Sequence, residues 1–316
     1  MNAQRSIDLI GLGECMVEFH AGATPLDKAL VFERRYGGDV LNALVAASRC
    51  GASTAFISQV GDDAFAAGLL HAWQEEGVDT TEVSLSPGPN GIYFISVDAD
   101  GERSFTYRRD GTPASRISPA DLNPAAFRHA RAVLLSGITQ ALSPSARSAT
   151  LAAAQLAREH GVLVAYDPNY RAALWAPHGG LATAQAAFEE LLSLCDWLLP
   201  SQGGDGPLVD LSDTEETDPT ALAQRFVRPS LAVALKCGGH GCVLIQDKTP
   251  QTIAAATPSS VVDTSGAGDC WNGVFLARLL QGDLASTAAT NANRIAAAKL
   301  AHRGAIPPRH FMENLI

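Results

Sequence analysis

The sequence predicts an α/β protein with a mainly parallel sheet covered by helices on both faces. Two observations carry this. Short apolar runs alternate along the chain with Ala-rich segments of helical apolar spacing, the rhythm of strand–helix–strand units. Glycines stand where many helical segments should stop, as at Gly51, Gly77 and Gly161. With 316 residues, 47% of them hydrophobic, the chain can bury a large core, so one large domain is expected across residues 1–316.

Taken in order, residues 7–12 read as a first strand that runs into Gly13, and residues 41–50 read as a helix closed by Gly51. Residues 52–60 read as a strand and 63–76 as a helix. Residues 91–98 and 103–109 are β-rich runs joined by a turn at 98–101, a hairpin that breaks the alternation and so should lie outside the main sheet. A buried strand at 132–136 precedes a helix opened by Ser143-Pro144 and running to His160. Residues 162–166 (strand), 181–194 (helix) and 197–199 (short strand) follow. Strands are expected at 231–236 and 242–246, and helices at 268–281 and 286–301. Residues 205–218 hold six acids and no base, which reads as a solvated loop.

Composition excludes several function classes. Lys and Arg number 23 against 33 Asp and Glu, a formal charge of −10 with no basic run, which argues against nucleic acid as a partner. The apolar stretches at 151–156 and 296–301 fall far short of the roughly 20 residues a membrane helix needs. Residues 1–10 contain no apolar leader core, and six cysteines are too sparse for a disulfide framework, so a reduced, cytoplasmic protein is expected.

The most informative stretch is Asp263-Thr264-Ser265-Gly266-Ala267-Gly268-Asp269. A strand end, a glycine turn and a helix start in succession present backbone N–H groups and a partial positive charge, a cradle for phosphate oxygens. Asp269 there is either a helix cap or a general base for an attacking hydroxyl. The P-loop pattern is absent, and Gly11-Leu12-Gly13 lacks the third glycine of the dinucleotide fingerprint. Gly37-Gly38 ahead of a helix carrying Asn42 is either a connector or a second ligand-facing start. Asp167-Pro168-Asn169-Tyr170-Arg171 follows a buried strand, either as an Asp-Pro turn or as a ligand contact. Tyr107-Arg108-Arg109 is either a solvated edge or a carboxylate clamp. Cys237, His240 and Cys242 read as a tight turn in preference to a zinc half-site.

These motifs, in this order, resemble the ribokinase-like (PfkB) carbohydrate kinases. The match rests on Gly37-Gly38 with Asn42, on Gly61-Asp62-Asp63 and Gly77-Val78-Asp79, and on the run from Asp263 to Asp269. Four stretches, at 13–18, 36–42, 101–109 and 167–175, are similar to the 2-keto-3-deoxygluconate kinases of that family. The resemblance implies a three-layer α/β/α fold with a small β-sheet lid from about residues 14–35 and 91–109, through which the chain would form a homo-oligomer. It implies ATP-dependent phosphorylation of a sugar acid with Mg²⁺. Asp269 would be the base, and Gly266, Ala267 and Gly268 the anion hole. Gly38, Asn42, Tyr93, Tyr107, Arg109, Ile138 and Arg171 would contact the sugar acid. Lys236, Gly238, Gly241 and Asn293 would line the nucleotide. Many members hold Mg²⁺ through an Asn-x-x-Glu run. Here Ser201 stands at the Asn position, and Asp205, one residue beyond the Glu position, would take the metal through water. A fructokinase or another sugar kinase is the alternative within the family, and a non-catalytic sugar-acid-binding protein a remote one.

Overall fold

The computed structural model describes residues 5–22, 24–97, 103–211 and 218–313. Its strands are β1 Ile7–Leu12, β2 Met16–His20, β3 Glu33–Gly37, β4 Thr54–Gly61, β5 Val78–Asp79, β6 Val83–Ser86, β7 Ile92–Val97 and β8 Arg103–Arg108, then β9 Ala130–Ser136, β10 Leu163–Asp167, β11 Trp197–Leu198, β12 Ala232–Lys236, β13 Cys242–Gln246 and β14 Thr249–Ile253. The helices are α1 Asp39–Arg49, α2 Ala66–Glu75, α3 Pro124–His129, α4 Gly137–Leu142, α5 Pro144–Glu159 and α6 Ala172–Trp175, then α7 Gly180–Leu192, α8 Pro219–Arg225, α9 Ala267–Leu280, α10 Ala285–Lys299 and α11 His310–Glu313.

The main sheet runs β14-β13-β12-β11-β10-β9-β1-β4-β5, with β6 beside β4. It is parallel from β12 through β5, and β13 and β14 are antiparallel at one edge. Side chains alternate across it. Leu9, Ala132, Leu134 and Ala234 face one core, which holds α1, α2, α9 and α10. Ile10, Leu12, Val133, Leu135, Val233 and Leu235 face the other, which holds α3, α5, α7 and α8. Period-two burial on both faces is what a doubly covered sheet requires.

Local chemistry starts these helices, among them α8, which the sequence reading did not expect. Ser143 accepts a hydrogen bond from the Ala146 amide (3.0 Å) with Pro144 in the first turn, and Asp218 caps α8 through Thr220 and Ala221. α9 begins at Ala267, with Gly266 before it at φ +69°, a left-handed conformation natural to glycine. The mid-helix Gly273 lets α9 lie against α1, because a Cβ there would stand 2.0 Å from the Ala43 carbonyl oxygen.

A separate sheet, β3-β2-β7-β8, pairs β2 antiparallel to β3 and parallel to β7. It contains both arms of the hairpin expected outside the main sheet. The turn expected at 98–101 lies outside the described residues. β5, β6 and β14 have no counterpart in the sequence reading. β5 has two residues, β6 is half exposed and β14 is mostly exposed, so none of them shows the buried apolar alternation that signals a strand. The stretch 205–218 is not wholly a solvated loop. Asp205 is 1% exposed and Leu208 5%, while residues 212–217 lie outside the described set. All six cysteines are buried and free, and among the described residues no helix is long and apolar enough to cross a membrane.

Candidate active site

The carboxyl ends of the parallel strands deliver polar residues to one edge of the sheet, where open α/β sheets place their ligands. β1 leads to Glu14, β9 ends at Ser136 before Ile138, β10 ends at Asp167 before Asn169 and Arg171, and β12 ends at Lys236. The first turns of α1 and α9 meet over this edge. Asn42 Nδ2 donates to Asp269 Oδ2 at 2.8 Å.

A cavity of about 580 Å³ opens there. Its wall gathers Asp269, Gly266, Ala267 and Gly268 with Gly38, Asn42, Ile138 and Arg171, and with Tyr93, Tyr107 and Arg109 from the separate sheet. Ser201 and Lys236 also reach it. A second cavity of about 410 Å³, mostly apolar, holds Gly238, Gly241, Asn293 and Trp271. The two share Lys236, Thr264, Ala267 and Gly268, so the glycine turn is the partition between them. A Cβ built at Gly268 would meet nothing within 4 Å, so the space beside its Cα is open.

Carboxylates crowd this edge, and their neighbours set their protonation. Burial, then the charge of Asp39, push Asp269 up to about 7, against the Asn42 hydrogen bond, which favours the anion. Asp39 is raised by burial and by Asp167, although Ser136 Oγ and Asn169 Nδ2 (3.1 Å) both donate to it. Asp167 is held by Lys236 Nζ (2.8 Å) and Asn272 Nδ2 (2.5 Å). Lys236 Nζ also donates to Asn272 Oδ1 at 2.9 Å, so its ammonium is fixed at the junction of the two cavities.

Three residues are committed in ways the sequence does not show. Arg109 pairs with Glu14, Nη2 to Oε2 at 2.5 Å, and Glu14 is 3% exposed and raised by burial. Asn293 accepts from Trp271 Nε1 (2.7 Å) and donates to the Ala254 carbonyl (2.9 Å), so its amide braces the wall. Asp205 is absent from both cavity walls. Its two oxygens accept from the Tyr170 and Ser201 amides, each at 2.8 Å. Burial raises its pKa to about 6. Among the described residues no group of three His, Cys, Asp or Glu side chains is placed to hold a metal ion. Cys237 and Cys242 flank a single turn at Gly238–His240 whose histidine is exposed.

Glu14, Asp39, Asp167, Asn169 and Asn272 also belong to this edge, and the sequence reading named none of them individually, although it offered the run 167–171 as a ligand contact. Four lie inside a motif quoted above or directly beside one, and Asn272 lies three residues beyond Asp269, so the available signal was a polar residue just after a strand or in the first turns of a helix. On the separate sheet Tyr93 and Tyr107 stack with centroids 5.8 Å apart, and Tyr93 Oη donates to Glu18 at 2.5 Å. Arg109 lies over the Tyr107 ring, 5.6 Å from its centroid.

Comparison with known proteins fits this geometry. The family model described as pfkB family carbohydrate kinase matches residues 7–311. Fructokinase-1 of Oryza sativa subsp. japonica is 31% identical over 288 residues, covering 88% of this chain and 85% of that protein. The 2-dehydro-3-deoxygluconokinase of Thermoproteus tenax is 31% identical over 289 residues, covering 89% and 84%. Among solved structures, fructokinase with bound ATP from Xylella fastidiosa superposes with a TM-score of 0.82 at 22% identity, covering 98% of each chain.

Proposed function

This chain belongs to the pfkB family of carbohydrate kinases, and we propose that it phosphorylates a sugar acid, 2-keto-3-deoxygluconate, on its terminal hydroxyl to give the 6-phosphate. One observation carries the choice: two guanidinium groups, Arg109 and Arg171, share a cavity wall with Asp269. A carboxylate needs fixed cations, and guanidinium binds it bidentately. The Arg109–Glu14 pair is compatible with this. Burial raises the Glu14 pKa against the Arg109 charge that lowers it, and Glu14 meets the guanidinium at Nη2.

In this reading Asp269 takes the hydroxyl proton on the oxygen that Asn42 does not hold. Gly266, Ala267 and Gly268 would form the anion hole that stabilises the oxygens of the transferring phosphoryl group. The apolar second cavity, with Trp271 and Leu300 on its wall, fits a purine, so ATP would lie with its base there and its phosphates over the glycine turn. Mg²⁺ would supply charge neutralisation on the phosphate oxygens. The sheet β3-β2-β7-β8 is then a lid, inserted as segments 14–35 and 91–109 in a single domain, that excludes water from the reaction.

A second reading has its own support. Arg109 is already neutralised by Glu14, which suits an uncharged ketose such as fructose. An ADP-release assay over 2-keto-3-deoxygluconate, fructose and ribose decides between them. The sugar acid should have a kcat/KM at least about tenfold above fructose, a difference of about 1.4 kcal/mol. Fructose turned over as well or better would sink the sugar-acid assignment and leave the kinase.

A further inference from the structure

We propose that the cleft between β3, α2 and the loop at 302–309 is a second anion site that binds a phosphorylated small molecule. The cleft encloses about 420 Å³ and is separate from the reaction cavity. Five arginines line it: Arg34, Arg35, Arg49, Arg303 and Arg309. Two are satisfied within the protein. Arg35 pairs with Glu33 and Arg49 with Glu76, each at 2.8 Å. Arg49 also donates to the Pro307 carbonyl at 2.8 Å, which ties α1 to the loop.

The side chains of Arg34, Arg303 and Arg309 have no acidic partner and no hydrogen bond among the described residues, and all three residues are exposed. His302 stands with them. Among the described residues the acids on this wall are Glu33 and Glu76, which are already paired with Arg35 and Arg49. In a chain with 33 acids and 23 bases, three unpartnered guanidiniums facing one concave space repel one another with no internal compensation. A multiply charged anion relieves that repulsion, and planar forks of N–H donors match phosphate oxygens. The positive field reaches neighbouring groups. After burial, the charges of Arg35 and Arg303 hold His20 below its ordinary pKa.

The cleft also shares a wall with the reaction cavity. Ala305 lines both, and the Gly304 amide donates to Asp263 Oδ2 at 2.8 Å, at the root of the glycine turn. Arg35 lies directly over this loop, since a Cβ at Gly304 would come within 2.4 Å of its Nη1. An anion that draws the arginines together therefore bears on the segment that supports the anion hole.

The shared chemistry is phosphate, and two probes separate its sources: inorganic phosphate and fructose 1,6-bisphosphate. Each is titrated calorimetrically into the full-length protein saturated with Mg²⁺ and a non-hydrolysable ATP analogue, so that the glycine turn is filled. One site per chain is expected, with a Kd below about 1 mM for at least one probe. Tighter binding of the bisphosphate assigns an organic phosphate, and equal binding assigns inorganic phosphate. The triple variant Arg34→Gln, Arg303→Gln, Arg309→Gln should weaken the binding at least about tenfold. Should the triple variant fold poorly, Arg303→Gln alone should weaken it about threefold or more. No binding of either probe, or binding that survives these substitutions, overturns the proposal. Neither readout depends on which sugar the enzyme phosphorylates.

Discussion

Asp269 sits in a first helical turn, where a carboxylate is ordinarily welcome, yet burial and the Asp39 charge push its pKa up to about 7. Two consequences follow. The anion is the base, so turnover should rise with pH through about 7 in the free enzyme, read as kcat/KM against pH. The folded state also binds this proton more tightly than the unfolded chain, whose carboxyl titrates near 3.8. Stability from this group therefore falls as pH rises from about 4 to about 7, and above that window the buried charge costs in full. Asp269→Asn should lower kcat by about 10²–10⁴-fold, leave sugar binding nearly intact, and raise the Tm by a few degrees at about pH 8 but less at about pH 5. An unchanged rate would remove Asp269 from the base role. Asp269 was legible because its motif is local: glycine turn, helix start and acid lie within a few residues. The Glu14–Arg109 pair was not, because its partners come from different elements and only the meeting of two sheets joins them.

At the scale of elements, the site depends on how closely α1 approaches α9. Asn42 and Asp269 lie on these two helices, and their 2.8 Å hydrogen bond exists only at that separation. Gly273 sets it. Replacing a mid-helix glycine by alanine ordinarily gains up to about 1 kcal/mol of helix propensity. Here the added carbon would stand 2.0 Å from the Ala43 carbonyl oxygen, a backbone atom that can give way only if the helix moves. The clash should win. Gly273→Ala should destabilise the fold by about 1–3 kcal/mol in denaturant titration and lower kcat together with stability. A variant more stable than the parent would show that the helices reseat freely. The same scale explains the strands that sequence reading missed. β1, β9 and β12 are buried on both faces and read as apolar runs, whereas β14 is exposed over most of its length and is held by its pairing with β13.

At the scale of the whole molecule, a chain of net charge −10 must attract an anionic nucleotide. In the proposed reading the attraction is local, from Lys236 and the α9 N-terminus where the two cavities meet, while the distant field opposes it. Raising ionic strength shortens the Debye length from about 30 Å at 0.01 M to about 8 Å at 0.15 M and screens the distant repulsion first. The association rate of Mg²⁺-ATP, followed by stopped flow, should therefore rise over that range, and a fall would mean that the local cations govern encounter. The sequence by itself determined the α/β architecture, the excursion of the hairpin from the main sheet, the glycine turn and its aspartate. These follow from burial periodicity and from backbone chemistry within a few residues, which a linear reading contains. Tertiary structure alone decided that Arg109 is paired with Glu14, that Asp205 is held by two backbone amides outside the cavity walls, and that three arginines from two distant segments face one cleft. Charge pairing and desolvation depend on distance in space, and only packing sets which distant residues share a dielectric and which are left without a partner.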